Sequence, residues 1–172
     1  MARIAYPDTT EASLAPLVER IERERGGKLL NLYRMLLHSP PVAQGWLGLF
    51  TAIRQQCELP GRCRELAILR IAVLNGADYE FGAHVPFALA EGLTEAQVEA
   101  LKAGREPEGL TEIDRAVLAY TDAMTRQVRV PDAVFDAVRK RFDERRVVEL
   151  TATIAGYNLV SRFLEALQVD HG

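Results

Sequence analysis

Apolar residues recur at three- and four-residue intervals along most of this chain, and no convincing strand alternation interrupts them. That periodicity predicts an all-α protein of about eight to nine helices. A first amphipathic helix is expected over residues 10–25, with Leu14, Leu17, Val18 and Ile21 on one stripe and Gly26-Gly27 ending it. A short apolar segment, Leu29 to Leu37, leads to Ser39-Pro40-Pro41, where proline in a first turn can open the next helix. That helix carries Trp46, Leu47, Leu49, Phe50 and Ile53 and closes before Pro60-Gly61.

Residues 62–75 are apolar nearly all round, which suits a helix in the middle of a bundle. Gly76 ends that helix, Asp78 is expected to cap the next, and Gly92 ends it. Pro86 should kink this second helix near Gly82. Thr94 with Gln97 resembles a capping box for a short helix reaching Gly104. A loop over 105–110 follows. Further helices are then expected from Thr111 to about Val128, from Pro131, and from Asp143 to about Gln168. No stretch has the composition of a flexible linker, so a single domain over 1–172 is expected.

Composition narrows the class. A chain of 172 residues with 48% apolar and 26% charged residues can enclose a sizeable core. The net charge of −3, and the mixed signs around Arg139-Lys140-Arg141, argue against a nucleic-acid partner. The N-terminal residues lack the apolar core of a secretion signal, and no apolar run approaches the roughly 20 residues of a membrane span. Cys57 and Cys63 are too few for a disulfide framework. A soluble cytoplasmic protein without membrane attachment is the expectation.

One predicted helix pair combines burial with ionisable residues. Helices 62–75 and 78–91, joined at Gly76-Ala77, should lie antiparallel as a hairpin. Glu65 and His84 then stand roughly 16 and 12 Å from the turn at about 1.5 Å per residue. Glu80, four residues before His84, shares its face. A Glu65–His84–Glu80 cluster follows. Plain structural readings stand beside it: Glu65 as a favourable charge in a first helical turn, His84 as a core histidine bonded to a carbonyl, Glu80 as a surface partner of an arginine. One His and two Glu are hard metal ligands, but no third neutral ligand is near, His38 and His171 being far off in sequence. No metal or other cofactor is expected.

The string Arg64-Glu65-Leu66-Ala67-Ile68-Leu69-Arg70, then Gly76-Ala77-Asp78-Tyr79-Glu80-Phe81-Gly82-Ala83-His84, then Ala88 and Glu91-Gly92-Leu93, resembles the carboxymuconolactone decarboxylase family. That family includes the alkylhydroperoxidase D (AhpD)-like peroxidases. The segments from Leu29 and from Tyr157-Asn158 to Arg162 resemble its lead-in and final helices. The resemblance implies an AhpD-like helical bundle, a homotrimer or hexamer, and functional roles for Glu65 and His84. Redox members place a Cys-x-x-Cys pair between these two, and Ala77 and Glu80 occupy those positions here. A thiolate is the form that attacks peroxide, so the resemblance points to the decarboxylase branch, which needs no cofactor. In that reading His84 is the acid/base, Glu65 orients it, and Glu80 is a second proton carrier or a polar wall. The substrate is a small carboxylated lactone or organic acid. Arg162 and Arg70 are the candidates to bind its carboxylate, and Trp46 and Tyr79 to shape the pocket. The alternatives are an alkylhydroperoxidase-like antioxidant using another thiol, and a non-catalytic oligomer.

Overall fold

The computed structural model describes residues 1–170, so His171 lies outside it. Among the described residues the regular structure is wholly α-helical: α1 (Ala15–Glu24), α2 (Asn31–Leu36), α3 (Pro40–Gln55), α4 (Gly61–Asn75), α5 (Asp78–Ala90), α6 (Glu95–Lys102), α7 (Glu112–Arg126), α8 (Asp132–Arg139) and α9 (Glu144–Leu167). None of these helices is long and apolar enough to cross a membrane. The described chain divides into two compact units, residues 57–162 and residues 1–56 with 163–170.

The unit of residues 57–162 is organised around α4, which packs on α5, α6 and α7. Leu66, Ala67, Ile68, Leu69 and Ile71 are fully buried, as expected for a helix apolar on every side. Gly76 adopts the left-handed conformation (φ 67°) that ends α4, and the amide of Ala77 donates to the carbonyl of Ala72 at 2.8 Å. A side chain bearing Cβ would be strained there. Ala77, rather than Asp78, holds the N-cap position of α5, and Asp78 is its first helical residue, where its charge favours the helix dipole. The helix then runs through Pro86 without a break.

Both threonine caps are complete. Thr94 Oγ1 accepts from the amide of Gln97, whose side chain accepts from the amide of Thr94. Thr111 and Asp114 repeat the arrangement at α7. Arg62 on α4 ties the two caps together, bonding both carboxylate oxygens of Asp114, Gln97 Oε1 and the carbonyl of Gly92. Asp143 caps α9, its Oδ1 accepting from the amide of Arg146 at 2.8 Å. Within the same unit Tyr120 of α7 bonds Thr151 of α9, and Asn158 of α9 bonds Thr125 of α7.

In the other unit α3 packs on α1 and α2. Helix α1 begins at Ala15, later than the apolar stripe predicts. Asp8 captures both the amide and the hydroxyl of Thr10 in a local turn, and Pro16 supplies the first helical turn. Trp46 is buried here between Phe50 and Phe163, each with its ring centroid 5.1 Å away.

Candidate active site

The hairpin of α4 and α5 brings Glu65 and His84 into direct contact. His84 Nδ1 lies 2.7 Å from Glu65 Oε2, and both residues are buried, at 7% and 2% exposure. A carboxylate at that distance accepts the Nδ1 proton and fixes the tautomer, so Nε2 is the nitrogen at which the ring gains or loses a proton. The other oxygen, Glu65 Oε1, accepts from Arg64 Nε at 3.0 Å. Burial alone would push the Glu65 carboxyl up, but the hydrogen bonds and charge of His84 and Arg64 outweigh it and hold the group below its ordinary value. Glu65 is therefore an ionised, doubly bonded partner.

The third member of the cluster, Glu80, is 2% exposed, with both carboxylate oxygens sealed from solvent. That overturns its reading as a surface partner of an arginine. Helical spacing places it one turn before His84 on the same face of α5. Aromatic rings wall the histidine: Tyr157 of α9 meets it edge-on with centroids 5.1 Å apart, and Phe87 lies at 5.8 Å.

Tyr79 is half-buried on α5. Arg70 makes a two-pronged ion pair with Asp122, Nε–Oδ1 2.6 Å and Nη2–Oδ2 2.7 Å, in the wall of a cleft of about 400 Å³ that also includes Arg105 and Arg115. Five residues separate it from Glu65 on α4, which turns it about 140° away. Arg162 is exposed on α9 and donates to the backbone carbonyl and Oδ1 of Asn158. Trp46 belongs to the core of the other unit.

Sequence reasoning missed Arg64, because neighbouring helix positions point about 100° apart and do not normally meet. Only the length of the arginine side chain lets it fold back on Glu65. Phe87 escaped notice too, since an aromatic three residues after a histidine reads as core.

Sulfur stands outside the cluster. Both cysteines are free thiols. Cys63 is buried, and burial pushes its pKa up to about 11; Cys57 is raised as well, by burial and then by the charge of Glu149. Among the described residues, no three His, Cys, Asp or Glu side chains come together to hold a metal ion.

The family model for the carboxymuconolactone decarboxylase family matches residues 40–123, which include the whole α4–α5 hairpin. Residues 40–123, just under half of the chain, are therefore similar to this family. The chain is 28% identical over 115 residues to the uncharacterized protein YdfG of Bacillus subtilis (strain 168), a match spanning 66% of this chain and 78% of that one. Its structure resembles that of ATU0492 from Agrobacterium tumefaciens, a protein of unknown function suggested to be the antioxidant defence protein AhpD. The TM-score is 0.73 at 26% identity, over 80% of this chain and 94% of the other. A cysteine-to-alanine variant of the debrominase Bmp8, in complex with 2,3,4-tribromopyrrole, shares the fold with a TM-score of 0.82. Identity there is 21%, over 100% of this chain and 94% of the other.

Proposed function

We propose that this protein is a member of the carboxymuconolactone decarboxylase family and a cofactor-independent acid–base enzyme, a decarboxylase-type lyase acting on a small carboxylated lactone or organic acid. The observation that carries the reading is the buried 2.7 Å contact between Glu65 and His84 Nδ1. In the reaction, the bond between the substrate carboxylate and its carbon breaks. The electron pair passes into the conjugated lactone carbonyl, and carbon dioxide leaves. His84 Nε2 then gives its proton to carbon, the electron pair returns from the enolate oxygen, and solvent restores the imidazolium. Glu65 orients the ring and stabilises its charged form, and Glu80 is the second proton carrier. A well-placed acid–base group contributes about 10²–10⁴ in rate. Arg162 binds the substrate carboxylate in this scheme, Tyr79 shapes the substrate's surroundings, and the protein works in the cytoplasm.

We also infer assembly into a homotrimer or hexamer. Gly82, Ala83, Pro86, Phe87 and Ala90 form a charge-free exposed face on α5, and Val148 and Leu159 on α9 are 66% and 47% exposed. Exposed apolar side chains of this kind support a subunit interface.

A second reading, an AhpD-like antioxidant, draws support from the likeness to ATU0492. It requires one of two thiols whose pKa is raised to do the work of a thiolate. The deciding experiment assays decarboxylation of carboxylated lactones by wild type, Glu65→Gln, His84→Ala and the double variant. Each single change is expected to cost at least about 10²-fold, and the double change little more, because the two act as a unit. Independent, additive losses refute the paired role. If wild type instead consumes peroxide with a dithiol reductant and a Cys57→Ser/Cys63→Ser variant does not, the antioxidant reading replaces this one.

A further inference from the structure

The Glu65–His84 pair does not end at Glu65. Arg64 bonds Glu65 Oε1 through Nε at 3.0 Å and turns Nη2 toward Glu91 Oε1 at 3.4 Å. Its side chain is only 14% exposed, whereas that of Glu91, at the end of α5, is 43% exposed. Glu91 reaches Arg64 by lying over the first turn of α4, against Gly61. A Cβ on Gly61 would fall inside the Glu91 carboxylate. Glycine here, at an ordinary backbone conformation, leaves room for an acidic side chain. The result is a continuous string of contacts from the exposed rim to the buried ring: Glu91, Arg64, Glu65, His84.

We propose that Arg64 is a positioning residue for the Glu65–His84 pair, and that Glu91, seated over Gly61, sets how strongly Arg64 engages Glu65. The catalytic meaning of this string rests on the acid–base reading of His84, but its physical test does not. The ionisable groups shown beside His84 are Glu65 of α4, with Arg64 behind it, and Tyr157 of α9, whose ring meets the imidazole edge-on; Glu80 stands one turn before it on α5. Arg64 places a positive charge on the oxygen of Glu65 that His84 does not use, which lessens the hold of Glu65 on the imidazolium. Glu91 draws part of that positive charge back toward the rim. Removing Arg64 and removing the charge of Glu91 must therefore move the titration of His84 in opposite directions, a pattern that general loosening of the hairpin would not give.

The experiment is an NMR titration of the His84 ring in the full-length protein, with folding of each variant checked by circular dichroism. Arg64→Met is expected to raise the His84 midpoint by about one pH unit, because it removes a like charge that disfavours the imidazolium. Glu91→Gln is expected to lower it by a few tenths of a unit, since the rim is screened by solvent and salt. Gly61→Ala should lower it likewise by displacing Glu91, and should add nothing once Glu91→Gln is present. Arg64→Lys keeps the charge without the fork. It stands in if Arg64→Met does not fold, and is expected to move the midpoint upward by less. Shifts of the same sign for Arg64 and Glu91 variants would overturn the proposal. So would a Gly61→Ala shift that persists in the Glu91→Gln background. Decarboxylation that proves absent leaves these titrations standing, so the two readings fail separately.

Discussion

Glutamine at position 65 keeps the shape of the side chain and removes its charge. The carboxylate accepts two charge-assisted bonds, from His84 Nδ1 at 2.7 Å and Arg64 Nε at 3.0 Å. Such bonds contribute about 1.5–3 kcal/mol each, against about 0.5–1.5 for neutral ones. An amide has one oxygen for two donors, so its NH₂ must face one of them. Relief of burying a charge offsets part of the loss. We expect Glu65→Gln to be less stable by about 2 kcal/mol near pH 7, a fall in Tm of roughly 4–8 °C at this chain length. The pH dependence has a definite sign. The carboxyl of Glu65 lies below its ordinary value of 4.5 in the folded protein. Its stabilisation is therefore complete above that ordinary value and is lost as pH falls through the folded one. Urea unfolding of wild type and variant, followed by far-ultraviolet circular dichroism from about pH 7 down to about pH 3, should show the gap closing on acidification. A variant as stable as wild type at neutral pH, or a gap that widens in acid, refutes the view of Glu65 as an ionised, doubly bonded partner.

Arg62→Ala should destabilise by about 2–3 kcal/mol in the same urea assay, because it strands the buried Asp114 carboxylate, held low in pKa by Arg62 and Thr111 against the cost of burial. A cost below about half a kcal/mol would show that the clamp on the two caps contributes little. Alkylation followed by mass spectrometry should modify Cys57 before Cys63, since a thiol at about 11 is only about one part in a thousand thiolate at pH 8; equal rates would contradict the burial of Cys63. Light scattering is expected to give a mass several times 19 kDa, and a monomer at micromolar concentration would refute the trimer or hexamer.

Much of this was legible in the sequence because helices are local. The Thr94–Gln97 box, the Asp143 cap and the Gly76 stop each depend on residues within a few positions, and the all-round apolar character of residues 62–75 foretold the burial of α4. The Glu65–His84 contact followed from counting residues on either side of one turn. Where α1 begins was missed, because the turn at Asp8–Thr10 is a side-chain event invisible to hydrophobic periodicity. Arginine partners were the least legible. Arg70 could have pointed to many places on the same helix face, and its engagement with Asp122 depends on a residue 52 positions away. Arg64 bonds its immediate neighbour by a side-chain path that no periodicity rule contains.

Glu65 and His84 are only 19 residues apart, and a single left-handed glycine closes the loop between them. Bringing together groups so near in sequence carries a small loop-closure entropy, which grows only as the logarithm of the separation. Contacts of this kind form early in folding, whereas contacts such as that between Arg70 and Asp122 wait for α7 to arrive. The hairpin that holds the Glu65–His84 pair is thus expected to be a kinetic seed as well. Gly76→Ala, which strains the turn, should slow refolding as well as lower stability, with a φ-value well above those for changes at the α7–α8 contact.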